Sequence, residues 1–491
     1  MLEVILFWVC VCLAPGCGET LRTDTAPPRN IAVVGAGISG CSSAQSLRQV
    51  FGSGVRIDVY ESETVGGTMA TDSLNGLEYE MGASALHPLN THVKEIARTL
   101  GLKAVKLPRA LLAVSDGEEM VFEESEWFLV NAIKLVWRYG LDYFRTKTWL
   151  DTYLHKFLKV YQLQAHGQCS GSAGKLLKRA GGPELSQLTQ KSIAEALRKA
   201  GVSQRFLDEM IAPVMRLTYG QATNVSAFAG MMALLAVQSD LWAVEGGNKL
   251  LCSGLLYSAK VNLIKGKVTA ITTKRRPLRT GEELVLYEVS YEDTLGDGYG
   301  LYDIVVVTAA ELPMVISGRG SPPAQHQPRV VTLVDSCLNT SSFGHRAPDP
   351  RRAPCILTTS RSHSSILAAV IPVSASSVPH PRPQPCARPW KVLSSKPLTQ
   401  EALSRLFPTG HAFRQASWPA QAPYPLSRQQ HPPFAVHRHV YHLSSSGGAT
   451  GTVELAVIWA KNAAQLAHRR WYEGSVRGDR STAQGSHRLE L

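Results

Sequence analysis

Residues 30–40 read NIAVVGAGISG, a short apolar run that passes directly into a turn containing three glycines. The run at 31–34 has the length and composition of a buried strand in a parallel sheet. Gly35 permits a tight turn, Gly37 lets the backbone approach a pyrophosphate, and Gly40 allows a helix to pack closely on the strand. The stretch therefore predicts the first strand and helix of a dinucleotide-binding α/β domain.

The residues that follow complete the strand, helix, strand and acid pattern of such a domain. Ile38, Ser39 and Gly40 begin a helix whose free N–H groups and positive dipole end suit phosphates. A second strand then ends in Glu61, 21 residues beyond Gly40, where a carboxylate can accept hydrogen bonds from ribose hydroxyls. Because each residue stands in its structural context, we expect the site to be functional rather than an ordinary glycine turn.

A second glycine segment favours FAD over NAD as the cofactor. It comprises the cofactor-binding candidates Gly66, Gly67, Thr68, Glu80, Gly82 and Ala83. The segment resembles flavoproteins of the amine-oxidase type, in which such a loop lies over the phosphates and leads to the flavin ring. A later apolar run at 302–309 fits another strand of the same sheet. The predicted fold is α/β, a doubly wound, Rossmann-like FAD domain with a second α+β substrate domain in a flavin amine-oxidase-like architecture.

The excess of positive over negative charge lies entirely in the last third of the chain. The formal net charge is +12, yet residues 1–312 contain 31 Lys and Arg against 32 Asp and Glu, and residues 313–491 contain 20 against 7. No recognition helix, zinc finger or RNA-binding signature accompanies these basic residues, so nucleic-acid binding is not expected.

The first residues are typical of a secretory signal. An apolar run at 4–13, followed mostly by small residues up to Gly18, predicts a signal peptide, and no later stretch has the length of a membrane-spanning helix. Glu3 departs from the pattern, since a basic residue is usual there. Two sequons, at Asn224 and Asn339, are compatible with glycosylation in that compartment. We expect a lysosomal or secreted protein.

Six longer motifs make the chain resemble the prenylcysteine oxidase family, most closely its prenylcysteine oxidase-like branch. They are VVGAGISG, VYESETVGGTMAT, YEMGASALHP, APVMRLTYGQ, LWAVEGGNKL and YDIVVVTAAEL, which together span about 30–313. The resemblance implies a flavin-dependent thioether oxidase. Such an enzyme converts farnesylated or geranylgeranylated cysteine and oxygen into free cysteine, a prenyl aldehyde and hydrogen peroxide.

This chemistry depends on positioning the substrate against the flavin and asks little of protein side chains. Arg216, within APVMRLTYGQ, can pair with the carboxylate of a cysteine substrate or can form a structural ion pair. Arg216 and His87 are the catalytic candidates. Glu80, His87 and Asp303 are either polar neighbours of the flavin or capping and surface residues. We find no metal-ligand cluster in the sequence.

Ten aromatic residues between 127 and 161 alternate with basic ones and predict amphipathic helices. The segment is either the core of a helical substrate domain, a wall that binds the prenyl chain, or a face that rests on a membrane or lipoprotein surface.

The resemblance weakens beyond Pro313. The family contributes a glycine-led turn and helix that close over the flavin, but the turn at 444–448 reads SSSGG and lacks the expected sequence. The preceding Pro- and Arg-rich segment either folds as a diverged half of the substrate domain or is partly disordered, which would leave a flavin-binding protein with impaired catalysis. A flavin amine oxidase is a further alternative.

The domain boundaries follow from these features. They are 1–18 for the signal peptide, 30–104 and 236–315 for the two parts of the FAD domain, 105–235 for the helical, aromatic-rich part of the substrate domain, 316–440 for its diverged part, 441–472 for the C-terminal helix of the FAD domain and 473–491 for a tail.

Overall fold

The computed structural model describes residues 26–235, 237, 240–277, 283–309, 328–343, 355–359, 366–370, 372–373, 387–408, 412–419, 432–443 and 452–485. The predicted signal peptide and the SSSGG turn at 444–448 lie outside these residues. Residues 28–468 form one compact unit. The described parts of residues 1–27 and 469–491 belong to a second unit, in which the Trp471 indole donates a hydrogen bond to the Ala26 carbonyl.

The strands are β1 Asn30–Val34, β2 Arg56–Glu61, β3 Thr71–Leu74, β4 Leu77–Glu80, β5 Ala104–Lys106, β6 Leu112–Ser115, β7 Met120–Glu123, β8 Trp242–Val244, β9 Asn262–Lys265, β10 Lys267–Pro277, β11 Glu283–Asp293, β12 Gly296–Tyr302, β13 Ile304–Val307, β14 Pro328–Ser336, β15 Cys355–Thr358, β16 Ile366–Ala369, β17 Arg388–Ser394, β18 Ala412–Pro419 and β19 Val440–His442.

The helices are α1 Ile38–Phe51, α2 Thr91–Thr99, α3 Phe128–Tyr139, α4 Asp142–Ala165, α5 Ala173–Gln187, α6 Ile193–Lys199, α7 Gln204–Phe206, α8 Ala212–Tyr219, α9 Ala227–Leu235, α10 Lys249–Ala259, α11 Gln400–Leu406 and α12 Val453–Gly485. A π-helical turn at Leu207–Ile211 joins α7 to α8. None of the helices in the described ranges is long and apolar enough to cross a bilayer.

A five-stranded parallel sheet in the order β19-β13-β1-β2-β9 carries the glycine turn. Apart from Asn30 at the start of β1, the strands β1 and β13 are apolar and buried on both sides, as expected for a parallel sheet covered on both faces. The strands come from widely separated parts of the chain. Strands β1 and β2 lie within residues 30–61, whereas β9, β13 and β19 lie at 262–265, 304–307 and 440–442. The α/β fold with a Rossmann-like sheet is therefore confirmed.

A three-stranded antiparallel sheet, β10-β11-β12, packs against this parallel sheet through an apolar cluster that includes Ile271, Val289 and Val305. The sequence analysis did not anticipate this sheet. Its inward residues alternate along each strand, for example Tyr287 and Val289 on β11, so only one side of the sheet is covered.

The largest sheet in the described residues has seven strands in the order β18-β14-β17-β16-β15-β6-β7. It is antiparallel except for the pair β15 and β6. Five of its strands, β14 to β18, lie in the part at 316–440 that the sequence left as either a diverged half of the substrate domain or partly disordered. Trp390 of β17 is fully buried in its core, together with Phe343 and Phe407. The described parts of this segment are thus strands of one sheet with β6 and β7.

Candidate functional site

The glycine turn has the geometry that its sequence predicts. Gly35 has a φ of +100°, a conformation that L side chains rarely adopt, and its N–H donates to the Tyr60 carbonyl at 2.8 Å. A Cβ on Gly40 would lie 1.8 Å from the Gly35 carbonyl oxygen, so only glycine lets α1 start this close to β1. By contrast, a Cβ on Gly37 would meet only the Gly66 carbonyl oxygen, at 3.9 Å. The space beside Gly37 is therefore open.

The N-terminus of α1 is free to bind an anion. Its N-cap is Gly37, which has no side chain to accept a hydrogen bond from the first turn, and that turn contains no acidic residue. No capping side chain accepts a hydrogen bond from the first N–H groups of α1, those of Ile38, Ser39 and Gly40, and these groups lie at the positive end of the helix dipole. An open cradle beside uncapped N–H groups fits the pyrophosphate of a dinucleotide.

Glu61, at the end of β2, is held next to this turn by the backbone. Its Oε2 accepts the Ala36 N–H at 2.7 Å, and its Oε1 accepts the Glu63 N–H at 2.9 Å. Each carboxylate oxygen can accept a further hydrogen bond. The backbone therefore fixes the carboxylate beside the glycine turn, and its binding of ribose hydroxyls stays a prediction.

The second glycine segment lies against the first. Gly66 donates its N–H to the Ala36 carbonyl at 3.0 Å and pairs with Gly37 as an isolated bridge. Farther along, Ala83 donates to the Thr68 carbonyl at 2.9 Å, and a Cβ on Gly82 would lie 1.7 Å from that same oxygen. All the cofactor-binding candidates, from Gly35 to Ala83, thus belong to one continuous set of turns at the carboxyl end of the parallel sheet.

Glu80 is a buried carboxyl group at the end of β4. Its Oε1 accepts the Asn248 N–H at 2.6 Å, whereas no described residue bonds its buried Oε2. Burial raises the pKa of Glu80 to about 7, although the Asn248 N–H acts in the opposite direction. An orphaned carboxyl oxygen of this kind is suited to a ligand that contributes the missing hydrogen bond.

Asn248 joins the third glycine turn, at 245–249, to the other two. The side chain is fully buried; its Oδ1 accepts the Val244 N–H at 2.9 Å and its Nδ2 donates to the Ala83 carbonyl at 2.8 Å. Sequence alone left open whether this turn was ordinary. In the structure it braces Glu80 and the Gly82–Ala83 turn.

Lys391, on β17, brings the seven-stranded sheet to this site. It is only 7% exposed, and its Nζ donates to the Gly82 carbonyl at 2.7 Å and the Ser84 hydroxyl at 2.6 Å. Burial lowers the pKa of Lys391 to about 7, and the positive charge of Arg329 acts in the same direction while Glu80 opposes it. A buried lysine and a buried carboxyl group therefore flank one turn, each with a pKa near neutrality.

Two of the predicted polar neighbours have structural roles. Asp303 accepts the backbone N–H groups of Arg29 and Asn30 at 2.7 and 2.9 Å. Asn30 begins β1, whereas the glycine turn follows its end, so Asp303 lies at the opposite end of the strands. Of the two roles that the sequence left open for Asp303, the structure shows the capping role and not that of a flavin neighbour. His87 is buried; its Nδ1 accepts the Leu89 N–H at 3.1 Å, which stabilises a local turn.

Arg216 is half-buried near the end of α8. Its Nη1 donates to the Thr358 carbonyl at the end of β15, at 2.9 Å. Across the described ranges Arg216 forms no ion pair with a carboxylate. Burial therefore lowers the pKa of Arg216, because no nearby negative charge among these residues opposes that effect. The structural ion pair that the sequence left as an alternative is therefore absent from the described residues.

Comparison with known proteins identifies the family. The family model described as prenylcysteine lyase matches residues 122–480, and the one described as an NAD(P)-binding Rossmann-like domain matches residues 33–100. The chain belongs to the prenylcysteine lyase family. Human prenylcysteine oxidase 1 is 40% identical to this family member over 94% of the chain and 93% of its own length, and human prenylcysteine oxidase 1-like is 39% identical over 95% of both. These identities do not separate the two branches.

Solved structures share the fold of this prenylcysteine lyase family member at low sequence identity. A putrescine oxidase variant is 15% identical with a TM-score of 0.53 and covers 89% of this chain and 98% of its own. Cyclohexylamine oxidase from Brevibacterium oxydans IH-35A is 12% identical with a TM-score of 0.53 and covers 91% and 99%. These structures show the shared fold. The family models and the relatives confirm the predictions of an FAD cofactor and an FAD-dependent oxidoreductase.

The sequence analysis of this family member missed Lys391 and Asn248 as site residues. Lys391 is 309 residues away from Gly82 in the chain, and its segment WKV carried no spacing signal toward the glycine motifs. The one available signal was a lysine inside an otherwise apolar strand, since a buried lysine needs a partner. Asn248 follows two glycines, and a residue that opens a helix there is a candidate for bracing the turn.

Proposed function

We propose that the chain oxidises the thioether of a prenylated cysteine. The carbon beside sulfur loses a hydride and the carbon–sulfur bond breaks; water supplies the aldehyde oxygen, sulfur keeps a proton, and oxygen is reduced to hydrogen peroxide. The products are cysteine, a prenyl aldehyde and hydrogen peroxide. The similarity to proteins named prenylcysteine oxidase, over 94% of the chain, carries this proposal.

The residues of the chain bind, orient and supply protons. When bound, FAD supplies a two-electron acceptor for the carbon beside sulfur. The N–H groups at the start of α1 and the Glu61 carboxylate hold the cofactor, as their open geometry favours. Lys391 Nζ and Glu80 Oε2 are the buried groups beside Gly82 with pKa values near 7, so each can hold or release a proton at neutral pH.

Arg216 is the proposed partner of the substrate carboxylate. Its guanidinium group is half-buried, donates one hydrogen bond to the Thr358 carbonyl and forms no ion pair within the described chain, so further N–H groups are available to a substrate carboxylate. Its role is to position the substrate, because a carboxylate on Arg216 fixes the cysteine end of the molecule while the prenyl chain extends away.

The test compares farnesylcysteine with its methyl ester, which lacks the negative charge. The purified, yellow protein is expected to release peroxide and aldehyde in equal amounts from farnesylcysteine. In Arg216→Gln, KM for the free acid should rise about 10- to 100-fold with kcat little changed, whereas the ester should react alike in both proteins. Equal losses for acid and ester would remove Arg216 from this role.

The same preparation separates the alternative functions. Peroxide release from putrescine but not from farnesylcysteine would indicate an amine oxidase. A protein that binds FAD and turns over neither substrate would be the catalytically impaired form. A colourless protein that cannot be reconstituted with FAD would contradict both the site and the proposal.

We also propose that the protein enters the secretory pathway and acts in lysosomes or outside the cell. The apolar run at 4–13 and the disulfide bond of Cys337 support this location, because disulfides persist mainly in oxidising compartments. Expression of the full chain in cultured cells should yield a processed N-terminus beyond Gly18. Recovery of unprocessed Met1 from the cytosol would contradict the location.

A further inference from the structure

The aromatic segment at 127–161 divides into two parts with opposite exposure. In the long helix α4, Trp149 and Phe157 are buried, as the core of a helical domain requires. In α3 the large apolar residues are exposed instead. Together with its N-cap these are Trp127 at 75%, Phe128 at 71%, Leu129 at 72%, Ile133 at 68% and Trp137 at 91%. We refer to these five residues as the α3 apolar face.

The spacing of these residues shows that α3 has a distinct apolar side. Leu129, Ile133 and Trp137 follow one another at i and i+4, with Val136 at i+7 from Leu129, and therefore lie on one side of the helix. If each large side chain offers about 150–200 Å², Leu129, Ile133 and Trp137 together expose roughly 350–450 Å² on this side, and Trp127 and Phe128 add apolar area at the first turn. This is within the range of the largest apolar patch of a typical soluble monomer, about 300–600 Å², and such patches are often functional.

The side of α3 that faces the protein carries polar contacts and few large apolar side chains. Apart from the Tyr139 ring, which packs on Phe206, its apolar residues are Ala132 and Leu135, and both are only half-buried. Only Asn131 and Tyr139 of this helix are buried. Asn131 exchanges two hydrogen bonds of 2.6 Å with the backbone of Ser125, and Lys134 donates to the Glu123 carbonyl at 2.8 Å. The helix is thus attached through hydrogen bonds and directs its apolar side chains outward.

A carboxylate on the π-helical turn anchors the other end of α3. Arg138 binds Glu209 through two hydrogen bonds of 2.7 and 3.1 Å, and the Tyr139 hydroxyl donates to Glu209 at 2.9 Å. Although burial works against the charged form, these bonds hold the pKa of Glu209 below its usual value. The outward exposure of Trp137 is therefore a consequence of firm attachment and not of a frayed helix end.

We infer that the α3 apolar face inserts into the surface of a neutral phospholipid bilayer. The polar groups of α3 named above already bond within the protein, so the exposed side offers apolar area but few directional contacts. A protein partner would require about one hydrogen bond for each 100–200 Å² of interface, whereas lipid requires none. Trp127 and Trp137 stand near the two ends of a helix about 18 Å long, and tryptophan favours the membrane interface.

Charge balance favours a neutral surface over an anionic one. Arg138 is neutralised by Glu209, Arg145 pairs with Asp142, and Lys147 pairs with Asp151. Lys134 donates to a backbone carbonyl and keeps its charge, but one such cation is far from the cluster of lysines and arginines that binds anionic lipid. Binding driven by apolar area should therefore be nearly independent of salt, unlike binding by a cluster of free lysines. This inference does not depend on the substrate or on turnover.

The experiment is flotation of the purified mature protein with phosphatidylcholine vesicles at low and high salt. The test variant is Ile133→Glu/Trp137→Glu. The matched control is Tyr257→Glu/Leu295→Glu, which adds the same two charges at apolar residues that are 88% and 94% exposed elsewhere. We expect the wild type and the control to float at both salt concentrations and the α3 variant to lose at least tenfold in vesicle binding, with unchanged melting temperatures.

A second measurement keeps the inference testable if the charged variant does not fold. Brominated phosphatidylcholine should quench the tryptophan emission of the wild type. Trp127→Phe/Trp137→Phe should still bind vesicles but lose most of that quenching. The inference is overturned if the wild type does not float, if both charged variants float equally well, or if the protein is a dimer that the α3 substitutions make monomeric without any vesicle binding.

Discussion

Alanine at Gly37 should weaken FAD binding without destabilising the apoprotein, whereas alanine at Gly40 should destabilise the apoprotein itself. The two glycines are only three residues apart. Gly37 has φ −73° and ψ 178°, which alanine adopts readily, and the nearest atom to a new Cβ is 3.9 Å away. The unfolding free energy of the apoprotein should therefore change by no more than about 0.5 kcal/mol. The same Cβ would occupy the space in which phosphate oxygens must approach the N–H groups of α1.

The cost of Gly37→Ala to FAD binding can be estimated from the bonds at risk. Losing two charge-assisted hydrogen bonds of about 1.5–3 kcal/mol each gives at least about 3 kcal/mol, or roughly 100-fold weaker binding. In Gly40→Ala the Cβ would lie 1.8 Å from the Gly35 backbone oxygen, so α1 must move away from β1. That overpacking should cost about 3 kcal/mol or more and lower the melting temperature of the apoprotein by about 3 °C or more, given the size of the unit formed by residues 28–468.

The assay is a titration of flavin-depleted protein with FAD, monitored by flavin fluorescence, combined with thermal melting of each apoprotein. The wild type and Gly37→Ala should melt together, while only the wild type binds FAD tightly. The reasoning is refuted if Gly37→Ala binds FAD as the wild type does, or if it melts as low as Gly40→Ala.

Three further predictions concern the surroundings of the glycine turns and the sequons. Because the folded-state pKa of Glu80 is raised to about 7, its proton stabilises the fold at low pH and this contribution is lost as the pH rises toward 7. Relative to Glu80→Gln, the wild-type apoprotein should therefore lose up to about 3 kcal/mol of stability between pH 5 and pH 7.5, measured by urea unfolding; an unchanged difference would contradict the raised pKa. Asn248→Ala should destabilise the apoprotein by about 2–4 kcal/mol, since it leaves the buried Val244 N–H and the Ala83 carbonyl without their partner. A melting temperature equal to that of the wild type would contradict this bracing role of Asn248. Asn224 is exposed in a turn, whereas the Asn339 amide nitrogen donates to a backbone carbonyl, so Asn224→Gln but not Asn339→Gln should abolish the mass shift on glycosidase treatment.

Local signals made the cofactor half of the site predictable. The run at 30–40 and the acid at Glu61 determine their own backbone conformation, because the turn requires glycine where φ is positive and where the helix meets the strand. The strand at 304–307 was also recognisable locally, because a short apolar run is typical of a buried parallel strand. Asp303 precedes that strand. Because ligands of an open parallel sheet bind beyond the carboxyl ends of its strands, this position already favoured a capping role for Asp303 over contact with the flavin.

The substrate half was harder to predict because its contacts are long-range. The strands β14 to β18 lie in a segment rich in Pro and Arg, and their pairing with each other and with β6 establishes the sheet. Arg216 was identified from a family motif, but its bond to Thr358 joins residues 142 positions apart. No periodicity in a single segment carries such information.

The sequence by itself determined the nucleotide-binding turn, the parallel strands around it and the FAD-dependent family, since these depend on glycine conformations and on apolar runs within a few residues of one another. Only the tertiary structure decided that Lys391 lies against Gly82, that Glu80 has a free buried oxygen, and that the apolar side of α3 faces outward. The exposure and the pKa of a side chain depend on what packs around it, and those neighbours come from distant parts of the chain.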